Sequence, residues 1–335
     1  MLYWPLPNAF YVEGYALDQF AAGNWGLCPV HQNKIGLILD RAIEPELQLR
    51  QLQAADAARA TLGLNLTEYI VTDAPLGVEL RISGSGISWG TIANPDSLLR
   101  AAEKLISQAG AEAIAVVARF PEDIESAAQE NYRQGKGIDP IAGAEAVISH
   151  LIVRTFQIPC AHAPALNSYP PEPHLSPRSA AEELGYTFLP CVLVGLSRAP
   201  QFLSTGAQER RSRGAEGQEN FVGAIHELPL QNSKNEAKNS KLSHSPADIW
   251  ANQVDAVVIP ATACGGSAIL SFSQLGVQII AVAENQTQIQ VPPEPLGMKV
   301  LRVNSYLEAL GVLVAHKAGI SPSAFSPAIS SIRRL

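Results

Sequence analysis

The sequence predicts an α/β protein with a mainly parallel sheet and helices on both faces. This is a three-layer αβα arrangement, with two related lobes as an open variant. Three observations carry the prediction. Short apolar runs of strand length alternate along the chain with longer segments that carry helix signals. One run, "AEAIAVVARF" (111–120), is apolar almost throughout, as a strand buried on both faces of a parallel sheet must be. The composition is 47% hydrophobic but only 6% aromatic, so the interior is packed with aliphatic side chains and alanine.

The elements follow in order. After an aromatic, loop-like start, "KIGLILD" (34–40) reads as a strand. "PELQLRQLQAADAARATLG" (45–63) reads as a helix opened by Pro45 and stopped by Gly63. "TEYIVTD" (67–73) is the next strand, and "GVELRIS" (77–83) alternates as a half-exposed strand does. "GSGISWGTIA" reads as a loop before a helix with Asn94 as N-cap, Pro95 at its first position and Gly110 as its stop. A polar helix near 121–134 and an apolar one at 140–156 come after the buried strand. "GYTFLPCVLVGLS" (185–197), "DAVVIP" (255–260), "VQIIAVAEN" (277–285) and "MKVLRV" (298–303) supply further strands, and "NSYLEALGVLVAHKAG" closes as a helix.

From 204 to 246 the chain is polar, mixed in charge and without period, the composition of a solvated insertion. It divides an α/β part at 1–203 from a second at 247–335, which completes the sheet or forms another lobe. A strand–loop–helix–strand order recurs in both parts, the basis of the two-lobe variant.

Bulk properties exclude several classes of function. A net charge of −7 argues against a nucleic-acid partner, which needs a basic face. No apolar run reaches the roughly 18–20 residues of a membrane span, and the start lacks the pattern of a signal peptide. The four cysteines have no CxxC spacing and read as reduced thiols of a cytoplasmic protein. A homo-oligomer is compatible with all of this.

Topology directs the search for a site, because ligands of open parallel sheets bind at the strand carboxyl ends. Those ends carry Asp40, Asp73, Arg119, Arg198, the segment Thr262–Ser267, Glu284 and Asn285. Arg119 and Arg198 suit a carboxylate or phosphate, or are ordinary surface arginines. In "ATACGGSAIL", Gly265, Gly266 and Ser267 open a helix after a strand, so that backbone N–H groups could cradle an anion. The same field would lower the pKa of Cys264 and make it a nucleophile. Alternatively, Cys264 is a small buried residue beneath the turn.

The apolar helix 140–156 carries Glu145, Ser149, His150 and Arg154, with Cys160 and His162 following. At 100° per residue, Glu145 and Ser149 share one face and His150 nearly the opposite one. His150, His162 and Glu145 are candidates for moving protons, and one of the two histidines is equally readable as a satisfied core residue. No metal-ligand spacing is present, so no metal is assigned, and the cofactor is left unknown. "SGSGISWG" is not a dinucleotide fingerprint, because its glycines do not open the helix directly; its Ser83, Ser85 and Ser88 would instead border the site.

Four stretches carry a family resemblance: "GSGISWGTIANPDSLLRAAEKL", "GIDPIAGAEAVISHLIVRTFQIPCAHAPAL", "VVIPATACGGSAIL" and "EALGVLVAHKAGISP". Together they resemble the cyanobacterial and plastid proteins grouped as domain of unknown function 3326, over nearly the whole chain apart from the polar insertion. The resemblance implies a phototroph's cytoplasm, or the plastid stroma in plant relatives, and implies no substrate. The residues therefore lead to an enzyme of hydrolase, lyase or isomerase type acting on a small anionic metabolite. The alternative is a non-catalytic metabolite-binding or regulatory protein using the same pocket.

Overall fold

The computed structural model describes residues 9–82, 88–121, 126–134, 139–167, 172–177, 179–180, 188–204, 248–287, 289–321, 324, 329 and 331–332. Its centre is a four-stranded parallel sheet in the order β3-β2-β6-β7, formed by Ile35–Leu39 (β2), Leu66–Val71 (β3), Ala113–Arg119 (β6) and Cys160–Ala165 (β7). Alternation along the buried strands splits their side chains between two cores. Ile114, Val116 and Ala118 of β6 face one, while Ala113, Ala115 and Val117 face the other. Helices Pro95–Gln108 (α3) and Ala142–Phe156 (α5) cover the first face, and Pro45–Leu62 (α2) and Phe188–Ser197 (α6) the second. The predicted three-layer α/β architecture is therefore present.

Helix α2 starts with Pro45 and ends where Gly63 takes φ 65°, as the sequence signals require. Helix α3 starts with Pro95, but Asn94 does not cap it through its side chain. That amide donates instead to the Pro75 carbonyl at 2.7 Å. The stretch 185–197 differs from expectation. It contains a helix, α6, not a strand, with Leu189, Leu193 and Leu196 buried at helical spacing. A continuous apolar run cannot by itself distinguish a buried helix from a buried strand.

"GSGISWGTIA" also differs: Ser88–Ile92 (β5) pairs antiparallel with Val78–Ile82 (β4), so its second half is one arm of a hairpin. The hairpin sits against the start of α5. Ser88 accepts there from the Gly143 N–H at 3.1 Å, and a Cβ on Gly143 would come within 2.4 Å of the Ser88 carbonyl oxygen. Ser83 and Ser85 lie outside the described residues. The polar helix expected near 121–134 is Ser126–Arg133 (α4).

The early part of the chain is more ordered than its composition suggested. Gly14–Ala21 forms a helix, α1, and Trp25–Cys28 (β1) pairs antiparallel with Gln201–Ser204 (β8). Trp25 stacks on Phe202 at 5.2 Å between centroids, with Tyr15 edge-on to Trp25 at 5.7 Å. Ser204 closes β8, and 205–247, nearly the whole expected insertion, lies outside the described residues. The chain after it returns to β1 through a bridge between Ile249 and Leu27.

A second parallel sheet, in the order β11-β10-β9, comprises Ala256–Pro260 (β9), Gln278–Val282 (β10) and Val300–Val303 (β11). Ser267–Gln274 (α7) and Tyr306–Lys317 (α8) accompany it. Helix α1 links the two sheets. It packs on α5 of the large sheet and on α7 of the small one, where Phe20 meets Phe272 at 6.1 Å.

Candidate functional site

The polar groups concentrate around α1 and α5, beginning with Glu13. This residue is the N-cap of α1, with φ −66° and ψ 150°, and its Oε2 accepts from the N–H groups of Tyr15 at 2.8 Å and Ala16 at 3.3 Å. A carboxylate there also meets the positive end of the helix. Glu13 is only 3% exposed, and its Oε1 pairs with Nδ1 of His150 on α5.

His150 lies over Gly14, with its side chain 43% exposed while Nδ1 is buried. Pairing with the Glu13 carboxylate raises the pKa of the imidazole; burial opposes the shift, and the charge of Asp18 adds to it. This is a carboxylate–imidazole dyad with the carboxylate behind and the ring toward solvent. Such a carboxylate fixes the ring's tautomer and orientation and stabilises the protonated form.

Glu145 and Ser149 occupy a different face of α5 and meet His162 of β7. The Nε2 of His162 lies 3.7 Å from Oε2 of Glu145, and its Nδ1 lies 3.2 Å from the Ser149 hydroxyl. Tyr11 stands beside both pairs. Its hydroxyl donates to the Cys160 carbonyl at 3.0 Å, along the open edge of β7. Burial pushes that phenol well above its ordinary pKa, with smaller contributions from Cys160, Glu13 and Glu145. His150, His162 and Glu145 thus come together around one helix, but as two His–Glu pairs on separate faces. Among the described residues, no group of three or more His, Cys, Asp or Glu could hold a metal ion.

The Gly-Gly-Ser turn is built as the sequence suggests, between the end of β9 and the start of α7, with one difference. Ser267 is the first helical residue and Gly266, which has no side chain to offer, is the N-cap. The cap comes from α1: Oδ1 of Asp18 accepts from the Ala268 N–H at 3.0 Å. The chain therefore supplies its own anion to this helix start. Gly265 is required by space, because a Cβ there would lie 2.8 Å from Val291. Gly265, Gly266 and Ser267 remain exposed. Asp18 also contributes to the shift of His150, so α1 brings the turn and the dyad into one electrostatic neighbourhood.

Cys264 stands apart from the dyad. It is fully buried, with Sγ 3.8 Å from the Ala261 carbonyl and 3.9 Å from that of Pro260. The lowered thiol pKa expected from the helix start is not found. Burial pushes it up, with Arg302 opposing and Glu294 adding, because the sulfur sits under the turn and not in front of it. All four cysteines are buried, and none is joined in a disulfide. The native protein should accordingly show no rapid burst with a disulfide reagent near neutral pH, and all four thiols should react after denaturation. A fast burst that disappears in Cys264→Ala would restore the nucleophile.

The remaining anticipated ligand contacts have internal partners. Thr262 Oγ1 bonds the Thr287 hydroxyl at 2.8 Å and accepts from the Thr287 N–H at 2.9 Å. Glu284 accepts from the Tyr306 N–H at 2.8 Å, and Asn285 donates to the Tyr306 hydroxyl at 2.7 Å. These contacts tie the carboxyl end of the small sheet to α8.

At the carboxyl end of the large sheet, Arg119 holds Glu44 through Nε and Nη2 at 3.0–3.2 Å and lowers its pKa. Arg198 belongs to the opposite, amino-terminal end of the strands. It follows α6, whose last turn is fastened to Asn33 just ahead of β2 by bonds of 2.7–2.8 Å. Arg198 thus follows a helix and not a strand, so it does not stand at a strand carboxyl end as Arg119 does. A cleft of about 270 Å³ between α2 and β3 is lined by Leu37, Leu52, Arg59, Leu66 and Tyr69, and none of the anticipated residues lines it.

Sequence reasoning missed Tyr11, Glu13 and Asp18. The available signal was an acidic residue immediately before the amphipathic stretch "GYALDQF", which marks a helix start.

Comparison with known proteins gives a family and no activity. The profile described as "Protein of unknown function (DUF3326)" matches residues 1–326. A protein of Synechococcus sp. named as an uncharacterized lipoprotein is 54% identical over 326 residues, covering 97% of this chain and 80% of the relative. No solved structure matches the chain. Among the described residues, no helix is long and apolar enough to cross a membrane.

Proposed function

The chain belongs to the DUF3326 family of proteins of unknown function, and from that premise we propose an enzyme that performs acid–base chemistry on a small anionic metabolite. His150 is the proton-carrying group. The observation that supports this reading is the buried Glu13 carboxylate behind a half-exposed imidazole. A raised pKa keeps a protonated fraction of His150 at neutral pH, which attracts a carboxylate or phosphate and can return a proton to it. The exposed turn at Gly265–Ser267 borders the same neighbourhood and offers backbone N–H groups. Asp18 already holds that of Ala268. Cys264 has no part in this chemistry.

The test is a panel of small carboxylates and phosphate monoesters incubated with the protein in D2O and followed by proton NMR. Exchange or turnover of at least one compound is expected, falling by roughly 10²-fold or more in His150→Asn. Activity unchanged in that variant would remove His150 from the reaction. Saturable binding with no exchange or turnover would establish the non-catalytic alternative. A cytoplasmic location is part of the proposal. The relative's name as a lipoprotein is the specific reason to check it by separating soluble from membrane fractions.

A further inference from the structure

Helix α8 turns an apolar stripe toward solvent. Leu307 is 78% exposed, Leu310 56% and Val314 61%, with Gly311 between them and Tyr306 at one end. At 100° per residue these five positions fall within one side of the helix, while Ala309 and Ala315 on the other side are buried against the small sheet. Such a stripe leaves on the order of 500 Å² of apolar surface in water, the upper range for a monomer's largest patch. A stable interface needs roughly 800 Å² per partner, so the stripe supplies most of one and a polar rim can complete it.

We infer that this stripe is the two-fold interface of a homodimer, with α8 packed antiparallel against α8 of a second copy. The register follows from the residues. When Leu307 faces the partner's Val314, Leu310 faces the partner's Gly311, and the leucine fills the space where a side chain is missing. Charge agrees with this direction. The start of α8 carries the exposed Glu308 and is met by the exposed Glu284 from the loop after β10, and its end carries His316 and Lys317. Antiparallel packing brings the basic end of each copy to the acidic end of the other and opposes the helix dipoles. A parallel arrangement would set like charges together. The inference does not depend on the proposed chemistry of His150, which lies on a different helix.

Sedimentation velocity of the full chain over a range of concentrations tests it. A reversible monomer–dimer equilibrium is expected. Leu310→Glu should weaken it by about tenfold or more, because it places a charge in the apolar centre. Gly311→Leu is the sharper variant. A Cβ at Gly311 meets nothing within 4 Å in the monomer, so the fold is retained, but the new side chain occupies the place of the partner's Leu310. It should therefore favour monomer without lowering the helical circular dichroism or the thermal midpoint, since leucine is also the better helix former. A wild-type chain that stays monomeric at all concentrations overturns the inference. So does a dimer that both variants leave unchanged, since the interface would then lie elsewhere.

Discussion

Replacing Glu13 by alanine is expected to destabilise the protein by about 2–4 kcal/mol, measured by chemical denaturation near pH 6. Two losses combine. The N-terminal turn of α1 loses the acceptor for the Tyr15 and Ala16 N–H groups, and His150 loses its buried counter-charge. Glutamine should recover much of the first loss, because its carbonyl can still cap the helix, and little of the second. The pH dependence separates the two. His150 has its pKa raised in the folded state, so the pair's contribution is fully present below the ordinary imidazole value of about 6.5. It is lost as pH rises through the higher folded value. The gap between wild type and Glu13→Gln should therefore be widest in mild acid and narrow toward alkaline pH. A gap independent of pH would mean that Glu13 acts only as a cap.

The second large effect concerns Asp40, and it belongs to the fold. Asp40 is completely buried at the carboxyl end of β2. Its Oδ1 accepts from the N–H groups of Ala42 at 3.0 Å and Leu76 at 2.9 Å, and its Oδ2 from that of Arg119 at 3.1 Å. One carboxylate thus fastens the loops after three strands at the point where chain order reverses between β2 and β6. Asp40→Ala leaves three backbone donors without an acceptor in a place closed to water. At about 1 kcal/mol or more for each unsatisfied group, a loss of at least roughly 3 kcal/mol is expected. Asp40→Asn should fall in between, since its amide oxygen can keep two of the donors while its NH2 opposes the third. A near-neutral Asp40→Ala variant would show that solvent reaches these loops.

Much of the fold was legible in the sequence because it follows from patterns local to each segment. Pro45 and Gly63 mark α2 by their backbone constraints alone, and the apolar run at 111–120 has few other places to go than the middle of a parallel sheet. What was not legible depends on partners distant in the chain. The run 185–197 satisfies the requirements of a buried strand and a buried helix alike, and only its packing on β7 decides. The same limit applies to the site. Glu145, His150 and His162 stand out as polar groups on apolar elements, and the separation of Glu145 from His150 onto two faces of α5 follows from helical geometry. Glu13 reaches His150 across 137 positions and Asp18 reaches Ala268 across 250, and no spacing rule links them. The glycines at 265–266 were read for the anion they might hold. Helix α1 supplies that anion from within the chain.

The most direct measurement is the titration of the His150 ring by NMR in the wild type and in Glu13→Gln. The account holds that a buried carboxylate makes His150 the proton-carrying group of the site. It predicts a midpoint above that of an ordinary histidine in the wild type, falling when the carboxylate is replaced by the amide. The same midpoint in both proteins would contradict it.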